Sequence, residues 1–279
     1  MSDCSREGKT VLKYKLLALD LDGTLTSSQK QVSPGNRAAI RKAQEAGCDI
    51  ILASGRPVLG IQKVADALDL HTYGGYILAY NGGQIIDCRS GKDLVKRTIP
   101  HTYYHDICEC GHRFPINVLT YNYEGVIAES DSAEYVRLEG YNNSIPVIKV
   151  ESLEKAIKGD VVKFMAVGEP DDLKPAFEYM KELFAGKLNV FFSEPYFLEI
   201  TPPGIDKAAS LENLLKILGV AREELIACGD GLNDIPMLEY AGFSVAMGNA
   251  YEETKELADV VVASNDEDGV AEAIERFIL

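Results

Sequence analysis

Short, continuously apolar runs alternate with segments of helical period at both ends of the chain. Residues 16–21 form an apolar run of strand length that stops at Asp22-Gly23-Thr24. Ser33 then stands where an N-cap belongs and Pro34 at the first helical position; Ala39, Ile40, Ala43 and Ala46 make a stripe at helical spacing, which Gly47 ends. A second apolar strand is predicted over residues 49–53, with Ser54-Gly55-Arg56-Pro57 opening another helix, and a third over 76–80, running into Asn81-Gly82-Gly83. The alternation returns late in the chain. Residues 205–218 read as a helix with Leu211, Leu214, Leu215 and Leu218 on one face, and 225–228 as a strand ending in Gly229-Asp230. A helix near 235–240, a strand near 243–247, a helix after Ala250, a strand at 260–263 and a last helix carrying Val270, Ala273, Ile274 and Phe277 follow. Apolar strands separated by helices predict an α/β fold, a doubly wound parallel sheet covered on both faces.

The middle of the chain has a different pattern. Its predicted strands, 116–121, 161–167, 189–193 and 197–201, alternate more and carry polar residues; the last two are separated only by Glu194-Pro195-Tyr196, a hairpin signal. A helix with Phe177, Met180, Leu183 and Phe184 on one side suits the cover of such a sheet. The expected organisation is a Rossmannoid core from residues 1–83 and 204–279, with an α+β insert, 84–203, closing over it as a cap.

Composition adds exclusions. A length of 279 residues fits one or two compact domains, and 46% hydrophobic residues provide ample core. The formal net charge of -15 excludes a broad nucleic-acid or anionic-membrane surface, which needs clustered Lys and Arg. An anionic substrate would therefore need local cations: a bound metal and a few placed basic side chains. The start, residues 1–15, is polar with no apolar signal core, and no run approaches the roughly 18 apolar residues of a membrane span. Six cysteines scattered from Cys4 to Cys228 make no disulfide framework, and Cys48 and Cys228 sit in apolar runs. A cytoplasmic protein, monomeric or a small homo-oligomer, is expected.

Ligands of an open parallel sheet bind beyond the carboxyl ends of its strands. The predicted strand ends here carry Asp20 and Asp22, Ser54 with Arg56, Asn81, and Asp230 with Asn233 and Asp234, while Lys207 lies at a helix start. Phosphoryl transfer requires an in-line nucleophile, neutralisation of the phosphoryl oxygens and a proton for the leaving group. Asp20 and Asp230 offer hard oxygen ligands for Mg²⁺. Asp20 is a competent covalent nucleophile. Asp22, two residues on, points the same way along an extended chain and can protonate the leaving oxygen, then activate water. The Gly23 backbone N–H, Ser54 and Lys207 can donate to phosphate oxygens.

Asp20-Leu21-Asp22-Gly23-Thr24-Leu25 after an apolar strand, Ser54-Gly55-Arg56, Asn81-Gly82, Lys207, and Gly229-Asp230-Gly231-Leu232-Asn233-Asp234 with Met237 resemble the haloacid dehalogenase superfamily. More narrowly the chain resembles its Cof-like sugar-phosphatase branch, and the likeness spans nearly the whole chain. The resemblance implies Asp20 as nucleophile and metal ligand, Asp22 as acid/base and ligand through its backbone carbonyl, and Asp230 as ligand with Asp234 and Asn233 supporting the metal shell. It implies phosphate binding by Ser54 and Lys207, and Thr24, Gly55, Arg56, Asn81 and Asn233 are grouped with that function. The expected activity is Mg²⁺-dependent hydrolysis of a small phosphate ester, a sugar phosphate first, through an aspartyl phosphate on Asp20. A phosphohexomutase using the same aspartate, or a phosphoaspartate signalling switch, are the rivals.

Blander readings compete at several positions. A basic residue in a first helical turn, as at Lys207, opposes the macrodipole, so an anion nearby explains it better than solvent does. Arg56 can meet substrate or make an ion pair, and Ser54 can cap the next helix. His105, Cys108, Cys110 and His112 fall in one short segment, but their spacing matches no familiar zinc pattern, and an incidental helix face is the expectation. Tyr121, Tyr123 and Glu124 could contact a sugar, though aromatic residues in a small domain more often form core.

Overall fold

The computed structural model describes residues 12–279. Cys4 and most of the polar start lie outside the described residues. Strands β1 (Leu16–Leu19), β2 (Asp49–Ala53) and β3 (Gly75–Ala79) run parallel, β1 pairing with β2 and β2 with β3. The chain then reverses at Asn81-Gly82-Gly83, and β4 (Gln84–Asp87) and β5 (Lys92–Lys96) continue the same sheet in antiparallel sense. The expected boundary at Gln84 thus falls inside this sheet, and residues 84–96 lie with the core. Local alternation marks β4 as a strand but says nothing of which sheet edge it joins.

The next strands form a second sheet: β6 (Asn117–Tyr121), β7 (Val126–Ala128), β8 (Val147–Lys149), β9 (Phe164–Val167), β10 (Asn189–Glu194) and β11 (Phe197–Thr201). Their order is β10-β11-β9-β6-β7-β8, antiparallel except for the β7/β8 pair. Strands β12 (Leu225–Gly229), β13 (Phe243–Ala246) and β14 (Val260–Val261) then rejoin the first sheet, whose order is β14-β13-β12-β1-β2-β3-β4-β5. With β2 on one side of β1 and β12 on the other, the order reverses at β1, and a crevice opens beyond its carboxyl end.

Both faces of β1 and β2 are buried, which is why these strands are apolar without alternation. Leu17, Leu19, Ile50 and Leu52 pack with Ile40, Ala43 and Ile274 on one side. Leu16, Ala18, Ile51 and Ala53 pack with Leu211, Leu214 and Met237 on the other. Each such leucine or isoleucine contributes roughly 1.5–3 kcal/mol by leaving water. The first helix spans Pro34–Ala46 as its punctuation predicts: Ser33 Oγ accepts from the Asn36 N–H at 3.1 Å, and Gly47 closes it at φ 101.

In the second sheet, period-two alternation divides the strands between core and crevice. Phe164 and Ala166 of β9 and Leu198 and Ile200 of β11 pack under the Tyr104–Arg113 and Pro170–Leu183 helices, against Ile107, Leu173 and Met180. Their neighbours Lys163, Met165, Phe197 and Glu199 occupy the opposite face and line a cavity that also holds Asp20 and Asp230. The His/Cys segment does not converge on a site. His105 pairs with Glu154 at 3.0 Å, His112 sits between Glu109 at 3.0 Å and Glu129 at 2.9 Å, and Cys108 and Cys110 are buried.

Candidate active site

Three strand ends of the larger sheet, those of β1, β2 and β12, meet at the mouth of this cavity, whose volume is about 390 Å³. Asp20 follows β1 directly, and Asp230 follows β12, the strand in register beside it. Ligand oxygens of Asp20, Asp230 and Asp234 lie within 4.8 Å of one another, the only such grouping of His, Cys, Asp or Glu among the described residues. Three hard anionic oxygens crowded in a partly dry site repel one another, and a small divalent cation with oxygen preference relieves that repulsion. The donor set therefore fits Mg²⁺.

Lys207 is the cation the chain itself supplies. It is the first residue of the Lys207–Leu218 helix and is 2% exposed. Its Nζ lies 2.5 Å from Asp20 Oδ1 and 2.5 Å from Asp234 Oδ1. Burial alone would depress the lysine, but the two carboxylates outweigh it and hold its pKa above the usual value. Asp234 is fully engaged: Oδ1 takes Lys207, while Oδ2 accepts the backbone N–H groups of Asp230 and Gly231 at 3.1 and 2.9 Å. It braces the loop that carries Asp230. Burial pushes Asp20 up to about 7, Lys207 pulling it back and Asp234 and Asp230 adding to the rise. Asp230 is pushed up to about 6, again by burial first, with Thr24 pulling it back.

Asp22 is differently placed. Arg56 holds it in a two-point pair, Nε to Oδ2 at 2.7 Å and Nη2 to Oδ1 at 2.6 Å, and Lys30 Nζ adds a third contact at 2.6 Å. Burial would raise its pKa, but hydrogen bonds and charge from Arg56 and Lys30 win and hold it below the ordinary carboxylate range. Arg56 therefore makes the ion pair that competed with substrate contact in the sequence reading, though it also lines the cavity.

The loop between them is shaped by Gly23, at φ 80, where a Cβ would run into the Asp230 carboxylate. Thr24, grouped by motif with the phosphate-binding residues, instead spends its hydroxyl on Asp230, donating to Oδ1 at 2.7 Å from a fully buried position. Asn249 and Asn265 tether the loop by donating to the Gly23 and Thr26 carbonyls at 2.8 and 2.9 Å. Ser54, Gly55 and Asn233 line the cavity with Asp20 and Asp22. Asn81 stands behind Gly55, at φ 57, and its buried Oδ1 has no partner among the described residues.

The second sheet and the Glu134–Asn143 helix beside it contribute residues that motif spacing did not reveal. Lys163 reaches across to donate to the Gly55 carbonyl at 3.2 Å and to Glu199 at 3.3 Å. Glu139 accepts from Tyr121 and Asn143, so the half-buried Tyr121 stands behind this wall as a donor, whereas Tyr123 is 84% exposed and Glu124 lies on the surface. Burial raises the Glu139 pKa against the pull of Lys163. The sequence does hold a signal for two of these: Lys163 and Glu199 interrupt otherwise apolar strand runs, Val161-Val162-Lys163-Phe164-Met165 and Phe197-Leu198-Glu199-Ile200.

Comparison with known proteins places this arrangement. A family model of haloacid dehalogenase-like hydrolases matches residues 17–274. The 5-amino-6-(5-phospho-D-ribitylamino)uracil phosphatase YcsE of Bacillus subtilis is 32% identical over 267 residues, covering 95% of this chain and 96% of the relative. A haloacid dehalogenase-like hydrolase from Bacteroides thetaiotaomicron superposes with a TM-score of 0.92 at 44% identity, over 95% of this chain and 99% of that one. The subclass IIB sugar phosphatase BT4131 superposes with a TM-score of 0.77 at 25% identity, over 94% and 98% of the two chains. The crevice at β1, with its aspartates drawn from opposite ends of the sequence, is thus that of a known family, and the chain belongs to the Cof-like branch of the haloacid dehalogenase-like hydrolases.

Proposed function

We propose that this hydrolase is a Mg²⁺-dependent phosphatase that cleaves a small phosphorylated metabolite, a sugar phosphate, through an aspartyl phosphate on Asp20. One observation carries the reading: Asp20 projects from the end of β1 into the cavity, held by buried Lys207 and grouped with Asp230. Two relatives add support, one named for a phosphorylated ribityl compound and one for sugar phosphates.

Asp20 and Asp230, with the Asp22 backbone carbonyl, would hold the cation, and Asp234 would brace them. Bound there, Mg²⁺ supplies positive charge that offsets repulsion between the Asp20 carboxylate and the phosphate. Lys207 fixes one Asp20 oxygen, which leaves the other to attack phosphorus. Ser54 and the backbone of the Asp20–Thr24 loop donate to the phosphoryl oxygens. An arriving phosphate competes with Asp22 for Arg56 and Lys30, and Asp22, freed of its cations, can carry the proton that the leaving oxygen takes as its bond to phosphorus breaks. A water then attacks the phosphoaspartate, Asp22 accepts its proton, and inorganic phosphate and the Asp20 carboxylate are regenerated.

The test is phosphate release from p-nitrophenyl phosphate and a panel of sugar phosphates with Mg²⁺, beside an Asp20→Asn control. Mass spectrometry of acid-quenched protein should find a phosphoryl group on the peptide bearing Asp20. Turnover that survives Asp20→Asn would remove the covalent route.

A further inference from the structure

The cavity wall opposite Asp20 is unevenly furnished. Glu139 and Glu199, 4% and 6% exposed, both line it. On each, the chain satisfies only one carboxylate oxygen. Glu139 Oε1 accepts from the Tyr121 hydroxyl at 2.7 Å and from Asn143 Nδ2 at 2.7 Å; Glu199 Oε1 accepts from Lys163 at 3.3 Å. Oε2 of each has no donor among the described residues. These two oxygens are not sealed in the protein but face the cavity, where water meets them until a ligand hydroxyl takes its place.

Among the described residues the single cation of this wall is already committed. Lys163 donates to the Gly55 carbonyl and to Glu199, and its Nζ lies 5.9 and 5.6 Å from the ring centres of Tyr80 and Tyr121. It serves to hold the second sheet against the Ser54-Gly55-Arg56 loop. Met165 and Phe197 complete the surface with apolar area suited to a carbon chain.

We propose that Glu139 and Glu199 form the leaving-group subsite, that it takes an uncharged, hydroxyl-rich carbon chain whose hydroxyls donate to the two free Oε2 atoms, and that it refuses a leaving group bearing a second anion. The proposal rests on the phosphatase reading above. A hydroxyl both donates to a carboxylate and tolerates the apolar floor. A carboxylate or second phosphate in the same place would face two glutamates with one lysine already shared, and low local dielectric magnifies that repulsion.

Sorbitol 6-phosphate and 6-phosphogluconate make a matched pair, because they differ only in a terminal hydroxymethyl against a carboxylate. The experiment compares their kcat/KM in the full-length Mg²⁺-loaded protein and in Glu139→Gln and Glu199→Gln. Each glutamine keeps a carbonyl oxygen for the existing donors and turns the cavity-facing oxygen into an amide N–H₂, so the fold is retained while the acceptor becomes a donor. The wild-type protein should favour sorbitol 6-phosphate by about tenfold or more, and each variant should reduce that ratio by about tenfold. Equal or reversed preference in the wild type, or variants that lose both substrates in the same proportion, would overturn the subsite. If the wild-type protein releases phosphate from no ester at all, the phosphatase reading falls. The subsite is then decided by calorimetric affinity of Asp20→Asn protein for the two compounds: an affinity ratio of about ten in favour of sorbitol 6-phosphate supports it, and equal affinity sinks it.

Discussion

Arg56 grips Asp22 at two points, Nη2 to Oδ1 at 2.6 Å and Nε to Oδ2 at 2.7 Å, and the side chain of Arg56 is only 12% exposed where Asp22 is 40% exposed. The residue proposed to handle protons is therefore held ionised by the residue proposed to meet phosphate. An arginine fork matches a carboxylate and a phosphate equally well, so one group can pass between them as substrate arrives and leaves.

Arg56→Ala tests that exchange. Removing the guanidinium removes the largest pull on the Asp22 pKa, so the carboxyl rises toward its ordinary value. Asp22 must be protonated to supply the leaving oxygen, so the alkaline limb of the kcat/KM profile, which reports the free enzyme, is expected to move to higher pH. Losing a cation on phosphate should also raise KM by about tenfold or more. Arg56→Lys restores charge but not the fork and should recover only part of each. A limb that does not move, measured over a full pH series, would separate Arg56 from the proton step.

The parts of this site legible in the sequence are those encoded locally. Apolar runs that end ahead of Asp22, Ser54 and Asp230 announce strand ends to within a residue or two, and Ser33, Pro34 and Gly47 announce a helix, because caps and strand termini depend on near neighbours. The pairing of Arg56 with Asp22, of Thr24 with Asp230 and of Lys163 with Gly55 spans 34, 206 and 108 residues. Spacing cannot rank such contacts, so Thr24 reads as part of a phosphate loop and its bond to Asp230 is not foreseen. Lys163 and Glu199 illustrate the intermediate case: a charge inside an apolar strand shows that a buried partner exists without naming it.

Lys207 keeps two buried carboxylates compatible with folding. Lys207→Met would leave Asp20 and Asp234 unpaired, and breaking such a buried network by removing one partner costs about 3–5 kcal/mol. The urea midpoint should fall accordingly, together with loss of turnover. The double variant Lys207→Met with Asp234→Asn removes one of the stranded charges and should recover part of the stability but none of the activity. A double variant no more stable than the single one would show that the two side chains are not energetically coupled.

The raised carboxyls make stability without metal depend on pH in an unusual direction. Asp20 and Asp230 stand at about 7 and about 6 in the folded chain, against 3.8 for an unperturbed aspartate. The folded state thus holds more protons than the unfolded one between these values, so its stability falls as pH rises. The contribution is fully present below about pH 4 and is lost on passing through the folded pKa values near 6 and 7. In EDTA, the unfolding temperature of the wild-type protein should drop more steeply across this window than that of Asp230→Asn, which keeps the Asp20 proton but has none to lose at position 230. Mg²⁺ should flatten the difference, since the cation takes the place of the protons. A difference that is flat in EDTA would contradict the shift at Asp230.

Thr24→Val distinguishes the structural role of this residue from the one its motif implies. The hydroxyl is fully buried and donates to Asp230 Oδ1, so valine keeps the shape and removes only the donor. Losing a partner that orients a metal ligand typically costs about 10–100-fold in metal affinity. Loss of one hydrogen bond costs about 1 kcal/mol in stability. The Mg²⁺ concentration for half-maximal turnover of p-nitrophenyl phosphate should rise within that range while the urea midpoint changes little, and Thr24→Ser should restore it. If instead KM for the ester rises at saturating Mg²⁺ and the metal requirement is unchanged, the hydroxyl serves phosphate during turnover, and its bond to Asp230 is only where it rests between substrates.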